Sequence, residues 1–289
     1  MSNRVAYAQA CERSLGLAPD ASTRRARTIL LELERLWSHL NDIAAICAGV
    51  GMAAGNHRFA ALSEDARRLN ERLAGHRLLF DTVDLGGSGL VLDAAAIGDA
   101  RATIEAIDTA ARRGLRDLAF NASFQDRLPD VGVLTTETAI RHGAVGPAAR
   151  AAGVNDDVRT HSPLLDYDGF VTALPESTIG DVKARYDQRE RELHQTTALL
   201  GRLLDHPLAP GSCTPSGSPK RLAVAQVESP RGRTICVIER DRDTLRRLRL
   251  RTGSYANWPV LAHIAPGNLL PDFPLINKSF ELCYACADR

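Results

Sequence analysis

Ser22-Thr-Arg-Arg-Ala-Arg-Thr-Ile-Leu-Leu-Glu-Leu-Glu-Arg-Leu-Trp-Ser-His-Leu-Asn-Asp-Ile-Ala-Ala-Ile-Cys47 is the stretch from which the fold can be read. Apolar residues recur at Ile29, Leu33, Leu36, Leu40, Ile43 and Cys47, in alternating steps of four and three that put them on one face of a long helix. Ser22 or Thr23 is the expected N-cap, and the glycines at 49, 51 and 55 are expected to end the helix. Working outward, a second helix is expected from about Ala60 to Leu79, and a third from Asp93 to about Leu118, with Ile97, Ile104 and Ile107 on its apolar side. Between them, Asp84-Leu-Gly-Gly-Ser-Gly-Leu90 reads as a tight turn. A fourth long helix spans about Ile179 to Leu204.

Between the third and fourth helices, Gly143, Gly146, Pro147, Gly153 and Pro163 are so closely spaced that Leu134 to Tyr167 can hold only short helices and ordered loops. Loops of this kind tend to carry function. After the fourth helix, residues 206–219 are rich in Pro, Gly and Ser and read as an internal linker. Residues 220–252 then change character. Arg221-Leu-Ala-Val-Ala-Gln-Val-Glu228 and Thr234-Ile-Cys-Val-Ile-Glu239 flank the turn Ser229-Pro-Arg-Gly232, which is a hairpin signal, and a short strand around Leu248 to Thr252 could join it. The expected fold is mostly α (α+β), one domain over residues 1–289. A bundle of long helices carries a small antiparallel sheet near the C-terminus, and the last segment is irregular.

Composition removes several function classes. Thirty-six Lys and Arg against thirty-five Asp and Glu leave a formal charge of +1, so no large field draws the chain to nucleic acid or anionic lipid. No apolar run approaches the roughly 20 residues of a membrane span, and Met1 to Gly16 lacks the apolar core of a secretory signal, which points to the cytosol. Gly49-Val-Gly51-Met-Ala-Ala54 spells a dinucleotide fingerprint, but it follows a helix where the fingerprint needs a strand. There is no H-E-x-x-H and no G-x-S-x-G.

Six cysteines stand at 11, 47, 213, 236, 283 and 286, too sparse for a disulfide scaffold. Only Cys283-Tyr-Ala-Cys286 forms a pair. Two thiolates at i, i+3 can face one metal ion, and soft sulfur suits zinc, nickel or iron. A zinc ribbon would need a second pair, and a thioredoxin-type motif would open a helix; two buried or incidental cysteines are the plain alternative.

Several motifs in one order carry a resemblance. Arg27-Thr-Ile-Leu-Leu-Glu-Leu-Glu-Arg-Leu-Trp-Ser-His39-Leu, Gly146-Pro-Ala-Ala-Arg150-Ala-Ala-Gly-Val-Asn-Asp-Asp157-Val-Arg159 and Gly180-Asp181-Val-Lys-Ala-Arg185 are followed by Glu228-Ser-Pro-Arg-Gly232 and Arg251-Thr-Gly-Ser-Tyr-Ala-Asn257. Asp272-Phe-Pro-Leu-Ile-Asn-Lys-Ser279 leads to the ending Phe-Glu-Leu-Cys283-Tyr-Ala-Cys286-Ala-Asp-Arg289. The set resembles the large subunit of membrane-bound, energy-converting nickel-iron hydrogenases, formate hydrogenlyase types included, and the related 49 kDa subunit of complex I.

The resemblance implies that Cys283 and Cys286 are two of four thiolates around a nickel-iron centre, one bridging both metals and one on nickel alone. Glu34, Arg150, Asp157 and Arg159 would shape charge and proton paths around it. It departs at Glu281-Leu282, where the family has Asp-Pro, and in lacking the C-G-I-C pair that the family places just before the segment resembling Asn3 to Ala10. The expectation is an N-terminally truncated subunit of a hydrogenase or quinone-linked redox complex, inactive alone. It would hold a nickel-iron centre only if an upstream cysteine pair is supplied, and otherwise zinc or nothing. An iron-sulfur small subunit and membrane subunits would be its partners, placing it peripherally on the inner face of the cell membrane. The alternative is a non-catalytic structural subunit packed against the iron-sulfur partner.

Overall fold

The computed structural model describes residues 1–162 and 164–286. Pro163 and the last residues of the terminal motif, Arg289 included, lie outside them. In chain order the elements are α1 (Ser2–Leu15), β1 (Leu17–Pro19), α2 (Ala21–Gly49), α3 (Ala53–Ala74), β2 (Val83–Asp84), β3 (Gly87–Ser88), α4 (Ala94–Ala119), α5 (Ala122–Gln125), α6 (Thr136–His142), α7 (Gly146–Ala151) and α8 (Val182–Leu203). There follow β4 (Gly211–Pro215), β5 (Leu222–Ser229), β6 (Gly232–Asp241), β7 (Thr244–Arg251), α9 (Gly253–Ile264) and α10 (Phe273–Phe280). The fold is mostly helical, and its C-terminal half carries an antiparallel sheet in the order β5-β6-β7.

The central helix α2 packs against α3 on one side and α8 on another. Its apolar stripe, Ile29, Leu33, Leu36, Leu40, Ile43 and Cys47, is wholly buried. Each such aliphatic side chain contributes roughly 1.5–3 kcal/mol. The cap is Asp20, whose carboxylate accepts the Thr23 N–H at 2.7 Å, so the helix starts earlier than a cap at Ser22 or Thr23 would place it. The same carboxylate accepts the Ser212 N–H at 2.8 Å and so ties the helix start to β4. Gly49 and Gly51 do end α2, but Gly55 lies inside α3, which begins at Ala53 and ends at Ala74, earlier than periodicity indicated. The glycine-rich G-x-G-x-x-A is therefore a connection between two helices, as its context implied.

Two expectations need correction, and one helix had not been expected. Residues 206–219 are no free linker. β4 pairs with β1 and β3 in a four-stranded sheet of order β1-β4-β3-β2, and Asp84 to Leu90 is the β2–β3 hairpin at its edge. Residues 2–15 are helical and pack on β5 and β6, burying Val5, Ala6, Ala8 and Ala10; their alanine-rich face carried little periodic signal. The closing segment is not irregular. Gly253 and Pro259 hid α9, whose Thr252 hydroxyl caps the Tyr255 N–H at 3.1 Å, and Pro274 opens α10.

Candidate functional site

The side of α2 facing α8 is charged. Glu32, Arg35, His39 and Asp42, at helical spacing, are all fully buried. Facing them on α8 stand Arg185, Arg189 and Glu192, also buried. Burying so many ions is tolerable only when they are paired or hydrogen-bonded; the short elements between residues 134 and 167 supply partners to Glu32 and Glu192, Asp42 and Arg189 pair with each other, and Arg185 donates to the Gly132 and Gly180 carbonyls and to Ser279 Oγ.

Arg150, in α7, donates through Nε to Glu192 Oε1 at 2.8 Å and through Nη1 to Glu228 Oε1 at 2.9 Å. Its Nη1 also lies 3.4 Å from Asp157. Arg159 pairs with Asp157 at 2.7 Å and approaches Glu32 at 3.8 Å. Glu32 is further held by Arg35 at 3.2 Å, by the Tyr167 hydroxyl at 2.8 Å and by Thr196 at 3.0 Å. His39 Nε2 meets Glu192 Oε2 at 3.1 Å.

Burial pushes Glu192 up, but Arg150, His39 and Arg159 outweigh it and hold the carboxyl well below the ordinary range. Asp157 is likewise held down by Arg159 and Arg150 against its burial. Glu228 goes the other way. Burial, reinforced by the negative charge of Asp157, pushes it up to about 7 despite Arg150. Burial also lowers His39 against the pull of Glu192, so the imidazole is neutral. The network thus holds one carboxyl poised near neutrality among ions fixed in their charged forms, an arrangement able to store or pass a proton.

A second cluster lies beside it. The turn between β5 and β6 presents Arg231, which pairs with Asp42 at 3.2 Å and donates through Nε to the Glu281 carbonyl. Asp42 also pairs with Arg189 at 3.3 Å. Arg231, Glu34, Trp37, Ser254, Cys283 and Cys286 line a cavity of about 220 Å³. The cysteine loop is positioned by α9: Ser254 Oγ accepts the Cys283 N–H at 3.1 Å and the Trp258 indole donates to the Cys283 carbonyl at 3.2 Å. Both thiols are free, Cys283 exposed and Cys286 half-buried.

Two glycines let the motifs meet. A Cβ on Gly146 (φ +70°) would fall 2.5 Å from Gly232 Cα, and one on Gly232 (φ +121°) 2.8 Å from Gly146 N. Only glycine accepts both that conformation and that approach. Asn257 then clasps Val145, accepting its N–H and donating to its carbonyl, each at 3.0 Å. Segments around residues 146, 232 and 257 are thereby fixed to one another.

Of the four polar residues singled out from the sequence, Arg150, Asp157 and Arg159 share one network. Glu34 does not join it. It lines the cavity with the cysteines, its carboxylate 2.7 Å from the Met1 nitrogen and 2.9 Å from the Ser2 nitrogen. Sequence reasoning missed Glu32, Arg35, His39, Asp42, Glu192, Glu228 and Arg231. The polar stripe 32-35-39-42 and the motif Glu228-Ser-Pro-Arg-Gly232 were readable signals, whereas Glu192 has no local signature. Cys283 and Cys286 supply two sulfurs, and no group of three or more His, Cys, Asp or Glu able to hold a metal is assembled among the described residues. By themselves these residues do not fit a four-thiolate centre.

The family model "Respiratory-chain NADH dehydrogenase, 49 Kd subunit" matches residues 50–217 and 211–289. Formate hydrogenlyase subunit 5 of Escherichia coli is 30% identical over 297 residues, which cover 100% of this chain and 51% of that one. This chain therefore spans about half the length of that relative. The carbon monoxide-induced hydrogenase of Rhodospirillum rubrum is 29% identical, with 100% and 81% covered. An NADH-quinone oxidoreductase polypeptide of Salinispora tropica is 30% identical, with 100% and 76% covered. A chain in the structure of the membrane-bound sulfane sulfur reductase, an archaeal respiratory membrane complex, superposes with a TM-score of 0.90 at 27% identity, over 99% of this chain and 80% of that one. No helix of the described residues is long and apolar enough to cross a membrane. With its helical core, its fixed motif loops and these matches, the chain belongs to the family of the 49 kDa subunit of respiratory-chain NADH dehydrogenase, which it shares with large subunits of formate hydrogenlyase and nickel-iron hydrogenase type.

Proposed function

We propose that this chain is the large subunit of a membrane-associated redox complex that couples electron transfer to protons, hydrogen or quinone. In this reading Cys283 and Cys286 provide two thiolates of a nickel-iron site whose remaining ligands come from outside these residues. The observation that carries it is the cavity in which both cysteines meet Arg231, itself paired through Asp42 to buried Arg189. The poised carboxyl of Glu228, one turn of chain from Arg231, is suited to exchange protons with that site. An iron-sulfur subunit and membrane subunits are the proposed partners, and the inner face of the cell membrane the proposed location.

The test is to tag the chain in its native host, solubilise the membranes, and measure subunit content and metals of what is isolated. Iron-sulfur and membrane subunits together with nickel, the nickel lost in a Cys283→Ser/Cys286→Ser variant, are expected. Recovery of the chain alone would overturn the proposal. The same partners without nickel would favour the second reading, a structural subunit, for which the Glu281-Leu282 departure and the two-sulfur donor set speak.

A further inference from the structure

Strand β7, Thr244-Leu-Arg-Arg-Leu-Arg-Leu-Arg251, is the edge of the β5-β6-β7 sheet and, among the described residues, pairs only with β6. One row of its backbone N–H and C=O groups therefore points away from the sheet with no strand beside it among the described residues, and residues 244–249 are exposed. Its side chains alternate. Arg247, Arg249 and Arg251 lie on one face, opposite Glu239, Val237 and Ile235 of β6, while Leu248 and Leu250 lie on the other.

Many arginines at the surface have a carboxylate partner. Arg72, Arg101 and Arg127 are paired within the chain to Asp99, Asp205 and Asp272. Arg247, Arg249 and Arg251 have no carboxylate in ion-pair range among the described residues, and Glu239, across from Arg247, is already taken by Arg221 at 3.0 Å. In a chain with a net charge of only +1, this is a local excess of positive charge. Beside it runs a groove of about 1030 Å³ lined by Ile235, Val237, Leu248, Leu250 and Tyr255, among others.

We propose that β7 is a docking edge for an extended acidic segment of a partner polypeptide, which adds a fourth strand to this sheet. The proposal rests on the reading of the chain as one subunit of a complex. The period of two dictates the partner's pattern: Asp or Glu at alternate positions beside Arg247, Arg249 and Arg251, and apolar residues between them beside Leu248 and Leu250. Charges on an edge strand also guard it against unwanted pairing. Here they make the edge selective: a basic strand is repelled, an uncharged one would cover the guanidiniums without a counter-charge, and an acidic one pairs with them. A lipid surface could answer the arginines but not the unpaired backbone row.

The test compares hydrogen exchange at amides 244–251 in the complex isolated from the native host with exchange in the chain alone, and places a photocrosslinking residue at position 247 in the same complex. Exchange at least tenfold slower in the complex is expected for outward-facing amides of β7, with crosslinks mapping to a segment of alternating acidic and apolar residues. An Arg247→Glu/Arg249→Glu variant is expected to lose that protection. If it does not fold, Arg247→Gln/Arg249→Gln reads the same loss. Partners present but β7 exchanging as in the free chain, or crosslinks to lipid alone, would overturn the docking edge while leaving the complex intact. A chain recovered without partners would overturn both readings.

Discussion

Arg150 and Glu192, on different helices and forty-two positions apart, meet at 2.8 Å with neither side chain exposed to water. Truncating Glu192 to Ala would leave Arg150 with only Glu228 and Asp157 as counter-charges, strip Arg35 of one, and take from the neutral His39 its hydrogen-bond partner. Removing one partner of a buried ion pair costs about 3–5 kcal/mol. Glu192→Ala is expected to lose at least that much in urea unfolding, and a loss below about 1 kcal/mol would show the network to be unimportant for stability.

Glu228 predicts a pH dependence of definite sign. Its carboxyl is raised from an ordinary 4.5 to about 7 in the folded protein, so between those values the native state binds more protons than the unfolded one. Stability from this group is therefore full below about pH 4.5 and is lost as pH rises to about 7. Asp157 and Glu192, held low, contribute stability above their unfolded values and lose it as pH falls. Glu228→Gln removes only the first effect. Relative to the parent, the variant is expected to gain on the order of 1–3 kcal/mol between pH 4.5 and 7 and nothing further above. Urea titrations at pH 5 and pH 8 measure it, and a constant difference would contradict the assignment.

Gly146→Ala places a methyl group 2.5 Å from Gly232 Cα in a backbone of φ +70°. Strain and clash together should cost more than about 2 kcal/mol. Gly98→Ala, inside α4 with nothing within 4 Å of the new methyl, should instead stabilise by about 0.5–1 kcal/mol. Thermal unfolding of the two variants in parallel checks both signs.

The Cys283→Ser/Cys286→Ser variant is expected to unfold within about 1 kcal/mol of the parent, because neither thiol belongs to the core and surface substitutions of this kind are mild. Its metal content in the assembled complex should nevertheless fall to background. Unfolding several kcal/mol earlier would mean the pair has a structural task.

What the sequence determined by itself follows from short-range regularity. The 29, 33, 36, 40, 43, 47 stripe placed α2, Asp93 placed the start of α4, and the strand signals around Ser229-Pro-Arg-Gly232 placed the β5–β6 hairpin, because each depends on spacing within a few turns of chain. The order of the motifs gave the family, and the density of glycine and proline around Arg150, Asp157 and Arg159 made that segment legible as short helices and ordered loops. Only the tertiary structure decided which charges meet. Glu192 looks like one more polar residue on a polar helix, and Glu228 like a strand end, until packing buries them around Arg150. The Pro/Gly/Ser-rich stretch holding β4 became a strand because Asp20 and β1 offered its backbone partners, and α9 formed across Gly253 and Pro259 because the core took up Val260, Leu261 and Ile264. The physical reason is common to all four: the partner that fixes the conformation is distant in sequence, so nothing within a local window reports it.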